Sequence, residues 1–104
     1  MAELTTIARP YAKAVFAHAN ATKAQSSWSA FLKKAASVTA DSAMVEVLKN
    51  PAVTAETKSE ILGDLTQDVT VDGVDALMEA LAHYGRLLAL PAISTEFETL
   101  LAQG

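Results

Sequence analysis

Two histidines, a scatter of carboxylates and a few hydroxyls are the only side chains here with reactive potential. His18 and His83 are far apart in the chain and neither has a histidine one helical turn away, the spacing by which a helix offers two ligands to zinc. Both therefore read as ordinary surface or half-buried residues. Glu56, Glu60, Asp64, Glu96 and Glu98 fall at positions expected to face outward from helices, where carboxylates stay solvated and ionised; acid–base catalysis needs them in a cleft. The four glycines, Gly63, Gly73, Gly85 and Gly104, are isolated, so no phosphate-cradling loop is formed. No nucleophile–base pair and no metal set can be assembled. No cofactor is expected, and an enzyme is the class least supported.

Asp41-Ser42 stands where a helix should start and resembles the serine site of carrier proteins that take a phosphopantetheine arm. The match is two residues long, and Ala43 replaces the leucine expected next. A helix cap by Asp41 explains the pair more simply.

Composition narrows the remaining classes. The chain has 104 residues, enough for one domain, with 51% apolar residues, no cysteine and a net charge of −4. Without cysteine there is neither a disulfide framework nor a thiolate metal site. The acidic balance argues against nucleic acid, which attracts a basic face. No apolar run reaches the ~20 residues that span a bilayer. Met1 to Thr6 lacks the basic start and apolar run of a signal peptide.

Alanine and leucine dominate and aromatics are few, a composition that favours helix. The spacing of apolar residues predicts six helical segments and no strand, an all-α compact six-helix bundle in a single domain. The first covers about 4–19, with Leu4, Ile7, Ala8, Tyr11, Ala14 and Val15 in one stripe and Ala12, Phe16 and Ala19 beside it. Pro10 implies either a regular start near Ile7 or Ala8 or a kink, since proline deep in a helix costs ~3 kcal/mol. Asn20 is expected to close it. The second covers about 23–38, with Trp28, Phe31, Leu32 and Ala35 inward and Ser29, Lys33 and Lys34 outward. The third follows Asp41 and stops at Asn50-Pro51. The fourth starts after Thr54 and carries Ile61, Leu62 and Leu65. Residues 66–71 are polar and β-branched, compatible with an extended link. The fifth runs over about 72–84, with Val74, Leu77, Met78 and Leu81 as its core stripe and Gly85 as the left-handed residue that ends it. The sixth begins near Leu88, with Pro91 in its first turn and Ile93, Phe97, Leu100 and Leu101 inward.

The first and fifth helices carry more apolar or small surface than one core stripe needs. On the fifth, Gly73, Ala76, Ala80 and His83 follow helical spacing beside the core residues. Small side chains in such a row leave a shallow trough in which another helix could lie. The same periodicity also fits two central helices buried on both sides.

The segment TIARPYAKAVF, Thr6 to Phe16, resembles the opening of the delta subunit of bacterial F-type ATP synthases, the family of the mitochondrial oligomycin-sensitivity-conferring protein. A second stretch, GRLLALP from Gly85 to Pro91, is similar to that family's junction between its fifth and sixth helices. Residues 21–71 match only in helix pattern. The resemblance implies a six-helix bundle that forms the N-terminal domain, with the family's second domain lying past Gly104. It implies a stator adaptor, linking the catalytic hexamer to the peripheral stalk on the cytoplasmic face of the bacterial plasma membrane. The implied partner is the amphipathic N-terminal helix of an alpha subunit, with the b subunits reached through the second domain and the membrane met only indirectly. In isolation a monomer is expected.

Carried over by residue, the partner-binding set is Ile7, Ala8, Tyr11, Ala14, Val15 and His18 on the first helix and Ala76, Leu77, Ala80 and His83 on the fifth. Tyr11 would be the large amphipathic anchor. Met78 and Tyr84 stand between groove and core, and Trp28 is expected in the core. Arg9 and Arg86 are expected to serve helix-end charge or a local backbone hydrogen bond. The alternatives are a helical carrier, which a phosphopantetheine adduct on Ser42 would mark, another helix-binding interaction module unrelated to the synthase, and a helix-turn-helix module, which would need a basic recognition helix that none of the segments supplies.

Overall fold

In the computed structural model, which describes residues 2–103, six α-helices follow one another, with two single 3₁₀ turns and no strand among the described residues. They are α1 (Ala2–Thr22), α2 (Gln25–Ala40), α3 (Ser42–Lys49), α4 (Ala55–Leu65), α5 (Val74–His83) and α6 (Leu90–Gln103). Met1 and Gly104 lie outside the described residues.

Local chemistry sets most of the helix ends. The Asp41 carboxylate accepts from the Ala43 and Met44 amides at 3.1 and 3.2 Å, and Thr54 Oγ1 accepts from the Thr57 amide at 3.1 Å. Each satisfies donors that the first turn leaves without partners. Asp41→Ala is expected to lower unfolding stability by about 1 kcal/mol, readable as a shifted denaturation midpoint. After α5 the Arg86 amide bonds the Leu81 carbonyl at 2.7 Å and the Gly85 amide bonds Ala82 at 3.1 Å, with Gly85 at φ +67°. This is the paired closure that a left-handed residue permits.

Three boundaries differ from the sequence reading. Asn20 does not close α1; the helix runs on to Thr22 and ends at Lys23, which takes φ +56° so that the Ala24 amide can reach the Ala19 carbonyl at 2.8 Å. Nor does α1 begin at Ile7 or Ala8: it starts at Ala2 and carries Pro10 within it. Burial of Ala8, Ala12, Val15 and Ala19 along one face offsets the bond that Pro10 cannot donate. Residues 66–71 are not an extended link, because a 3₁₀ turn at Gln67–Val69 continues from the end of α4.

The core lies where α6 packs against both α1 and α2. Phe97, Ile93 and Leu90 of α6 meet Phe31, Leu32 and Ala35 of α2, all fully buried. Three alanines at 0% exposure on α1 place its backbone close to α6, and Phe16 meets Phe97 edge-on at 6.0 Å. Trp28 is core, as expected, at 2% exposure, flanked edge-on by His18 and Phe31. The radius of gyration is 12.8 Å, as a single ~100-residue domain requires. On the other side α5 packs on α4, and the 3₁₀ turn Leu87–Ala89 joins α5 to α1 and α6.

Candidate functional site

One flank of α1 is turned away from α6. At 100° per residue, Ala8, Ala12, Val15 and Ala19 form the buried face and Phe16 leans to the α6 side. Ile7, Tyr11, Ala14 and His18 follow one another along the opposite flank; Ile7, Tyr11 and His18 are half-buried and Ala14 is exposed. Leu4, 36% exposed, continues that stripe by a further turn.

The same projection orients α5. Val74, Met78, Leu81 and Ala82 are buried. Asp75 and Glu79 border depressions shared with Ser59, Glu60 and Asp64 of α4, so α4 lies on that flank. Leu77, half-buried, projects from the opposite flank.

That second flank is the one tied to α1, and it is tied at two points. At the amino end of α5, His18 Nε2 lies 3.3 Å from the Asp72 carbonyl oxygen, to which a protonated Nε2 donates. At the carboxyl end, Arg86 Nη1 donates to the Tyr11 hydroxyl at 3.3 Å. Arg86 also lies over the Tyr84 ring, 5.5 Å from its centroid, and Tyr84 in turn meets His83 edge-on at 4.9 Å. The two helices are therefore antiparallel. Tyr11 and His18 are seven residues apart, so the ties stand about 10 Å apart along α1. Between them α1 presents the exposed Ala14 and α5 the half-buried Leu77.

Of the residues carried over from the resemblance, Ile7, Tyr11, Ala14 and His18 lie on the flank of α1 tied to the ends of α5, and Leu77 lies on the flank of α5 away from α4. Ala8 and Val15 do not: they are buried at 0% and 6% exposure, because their side of α1 faces the core. Ala76, Ala80 and His83 lie on the outer face of α5, lining with Ala55, Glu56 and Ser59 of α4 a depression of about 900 Å³. Ala80, half-buried, sits between the two surfaces.

Met78 is core at 2% exposure, whereas Tyr84 is 63% exposed and lies on the surface just past α5. Arg9 and Arg86 do not serve helix ends or backbone. Arg9 reaches Glu96 of α6 at 3.3 Å and Arg86 takes the two tyrosines. Glu96 and Glu98, expected on free outward faces, are half-buried and link helices: Glu98 accepts from Ser29 Oγ at 2.6 Å and pairs with Lys33 at 3.7 Å. Leu4, Tyr84 and Arg86 are the residues at this surface that sequence reasoning left out of the site. The signal for Leu4 was its spacing to Ile7 and Tyr11.

Among the described residues no three histidine, aspartate or glutamate side chains gather as metal ligands would, and no helix is long and apolar enough to cross a membrane. What the arrangement offers is apolar surface, one aromatic anchor with a hydroxyl, and charges at its edges. Such a surface binds rather than reacts.

Comparison with known proteins agrees in family. The family model described as ATP synthase delta (OSCP) subunit matches residues 7–104. The chain is 45% identical over 97 residues to the ATP synthase subunit delta of Marinomonas sp. (strain MWYL1), covering 93% of this chain and 54% of that protein. It is 42% identical over 103 residues to that of Hahella chejuensis (strain KCTC 2396), covering 99% and 58%. To that of Methylobacillus flagellatus it is 40% identical over 103 residues, again 99% and 58%. The chain thus spans a little over half the length of these relatives, and by the extent of the match it belongs to the ATP synthase delta (OSCP) subunit family.

Proposed function

We propose that this chain is the alpha-subunit-binding, N-terminal domain of an F-type ATP synthase delta subunit, and that it holds the N-terminal helix of an alpha subunit between α1 and α5. The observation that carries this reading is the incompletely buried, largely apolar flank of α1, from Leu4 to His18, tied at two points to the residues that flank α5. In this role the domain makes and breaks no bond. It fastens the catalytic hexamer to the peripheral stalk so that the hexamer does not turn with the rotor, and the b subunits are engaged elsewhere in the full-length protein. The domain is then a peripheral component on the cytoplasmic face of the bacterial plasma membrane, held there through the assembled complex and monomeric when alone.

The driving force is burial of the partner's apolar face, about 25 cal/mol per Å² of apolar surface. Lost translational freedom and the ordering of the peptide oppose it, and only the surplus appears as affinity. A peptide of the first 20 or so residues of the alpha subunit is expected to bind one-to-one, followed by calorimetry and by the emission of Trp28, the only tryptophan. Ala80→Asp places a charge on a half-buried position outside the core. It is expected to weaken binding about tenfold, since a carboxylate left without a partner at an interface costs 1–3 kcal/mol, while the denaturation midpoint moves little. Unchanged affinity in this variant would remove the outer face of α5 from the site, and absence of saturable binding by the parent chain would overturn the reading.

A further inference from the structure

The seam between α4 and α5, on the side of α5 away from α1, is an open groove. Two depressions of about 900 and 580 Å³ share Ser59, Glu60 and Glu79 and so run into one another. One end is bounded by Ala55 and His83 and the other by Asp64 and Asp75, so the two helices are antiparallel along it. From Ala55 to Asp64 the groove follows α4 for about 14 Å. Its floor is made of small residues: Ala76, Ala80 and Ala82 of α5 and Gly63 of α4. Its edges are acidic. Glu56, Glu60 and Asp64 stand four residues apart on α4, Asp75 and Glu79 four apart on α5, and all five are exposed. No lysine or arginine lines the groove, and none of the five carboxylates belongs to an ion pair among the described residues. Like charges one helical turn apart destabilise the helix that carries them. Asp64 lies besides in the last turn of α4, an end that is itself negative and holds no basic residue. Gly63 adds a second, independent signal. Glycine inside a helix is less stable than alanine, yet a Cβ at Gly63 would meet nothing within 4 Å. Packing within the domain therefore gives no reason for glycine at this position, and the space it leaves open belongs to the groove.

We propose that the α4–α5 seam is a second docking surface, separate from the flank of α1, and that its occupant is a basic amphipathic helix of a partner protein. Small and apolar side chains of that helix lie on the alanine floor, and lysine or arginine follows along both of its edges. A helix laid along the seam brings a side chain back to the same edge every four residues, about 6 Å of rise, which is the spacing of the carboxylates on α4 and α5. Gly63 lets its backbone approach closely. A single metal ion is not the occupant that fits, because no three of these carboxylates gather as ligands among the described residues. Nucleic acid and anionic membrane are repelled by five negative charges on one face. The inference stands on the groove and its charge and does not rest on docking between α1 and α5.

The test uses the isotopically labelled chain and an end-capped helical peptide of about 18 residues, with alanine and leucine along one face and lysine along both edges of it. Saturable one-to-one binding is expected, weakening as salt is raised, with amide shifts confined to residues 55–64 and 75–83. Glu60→Lys combined with Glu79→Lys should lower affinity by about tenfold, since each reversal turns an attraction into a repulsion. Gly63→Ala should lower it by about fivefold, because the added methyl occupies the close approach, while the denaturation midpoint of this variant stays level or rises. That combination separates a lost contact from a damaged fold. Equal binding of a scrambled peptide of the same composition, affinity unmoved by the charge reversals, or shifts elsewhere on the chain overturns the proposal, as does no binding. Shifts at the same residues on concentrating the free chain would make a second copy the occupant and overturn the basic helix. Displacement of the probe by the alpha-subunit peptide would merge the seam with the site proposed above and overturn its being a second surface. Failure of the alpha-subunit peptide alone to bind would strike that earlier reading and leave this one standing.

Discussion

Replacing Tyr11 with alanine is expected to weaken binding of the alpha-subunit peptide by about thirtyfold, the loss that removal of a ~2 kcal/mol hot-spot anchor produces. Tyr11 stands midway along the exposed stripe of α1. Its ring packs partly against the core while its hydroxyl reaches the surface beside Arg86. A half-buried tyrosine brings a large apolar area at the loss of only two torsions, and its hydroxyl is already held by Arg86 at 3.3 Å. Truncation also loosens Arg86, which keeps only its stacking on Tyr84. Tyr11→Phe separates the two contributions. It retains the ring and removes only the hydroxyl's bond from the Arg86 guanidinium, a long contact open to solvent, and affinity should fall by no more than about threefold, as loss of a ~0.5 kcal/mol bond implies. If alanine and phenylalanine lose affinity equally, the ring is not an anchor. If neither changes it, the flank of α1 is not the binding surface.

The features legible in the sequence were those written by neighbouring residues. Asp41 and Thr54 were readable as caps because a side-chain oxygen satisfies amides two or three residues on. Gly85 was readable because only glycine enters the left-handed region freely. The end of α1 was not, since Lys23 adopts that same region without the residue type that advertises it. Its conformation is held by the amide of Ala24 bonding back to Ala19 and by the packing of Ala19 and Trp28 on either side of the turn.

The site shows the same division. Periodicity revealed that α1 is apolar over a wide arc, and the arc does contain the exposed stripe. Which half of it faces inward depends on where α6 and α2 lie, and that is fixed by contacts between residues far apart in the chain. Ala8 and Val15 therefore went to the wrong side of the division, while Ile7, Tyr11, Ala14 and His18 fell on the open one. Arg9 and Arg86 illustrate the limit most plainly. Their partners, Glu96 and Tyr11, are 87 and 75 residues away, and no local pattern encodes such a pairing.

Gly73→Ala is expected to destabilise the domain by roughly 2–3 kcal/mol, combining a left-handed penalty with overpacking. For a chain of this size that corresponds to a fall in Tm of about 10 °C or more. Gly73 precedes α5 at φ +100°, where any Cβ is strained. A Cβ there would also stand 2.9 Å from His18 Nε2 and 3.3 Å from Trp28 Cζ2. The histidine ring cannot retreat easily, because its other neighbour is the Trp28 indole, itself 2% exposed and packed edge-on against Phe31. Relief must come from displacing His18 from the Asp72 carbonyl or from moving the start of α5, and either loosens the tie between α1 and α5 at this end. Gly85→Ala is the matched control. It has a similar backbone requirement at φ +67° but nothing within 4 Å of the added carbon. Its loss should stay near 1 kcal/mol, with Trp28 emission unchanged. Equal losses in the two variants would mean that the His18–Gly73 approach carries no strain. A larger loss at Gly73 together with altered Trp28 emission would identify this corner as the place where α1, α2 and α5 are held in mutual register.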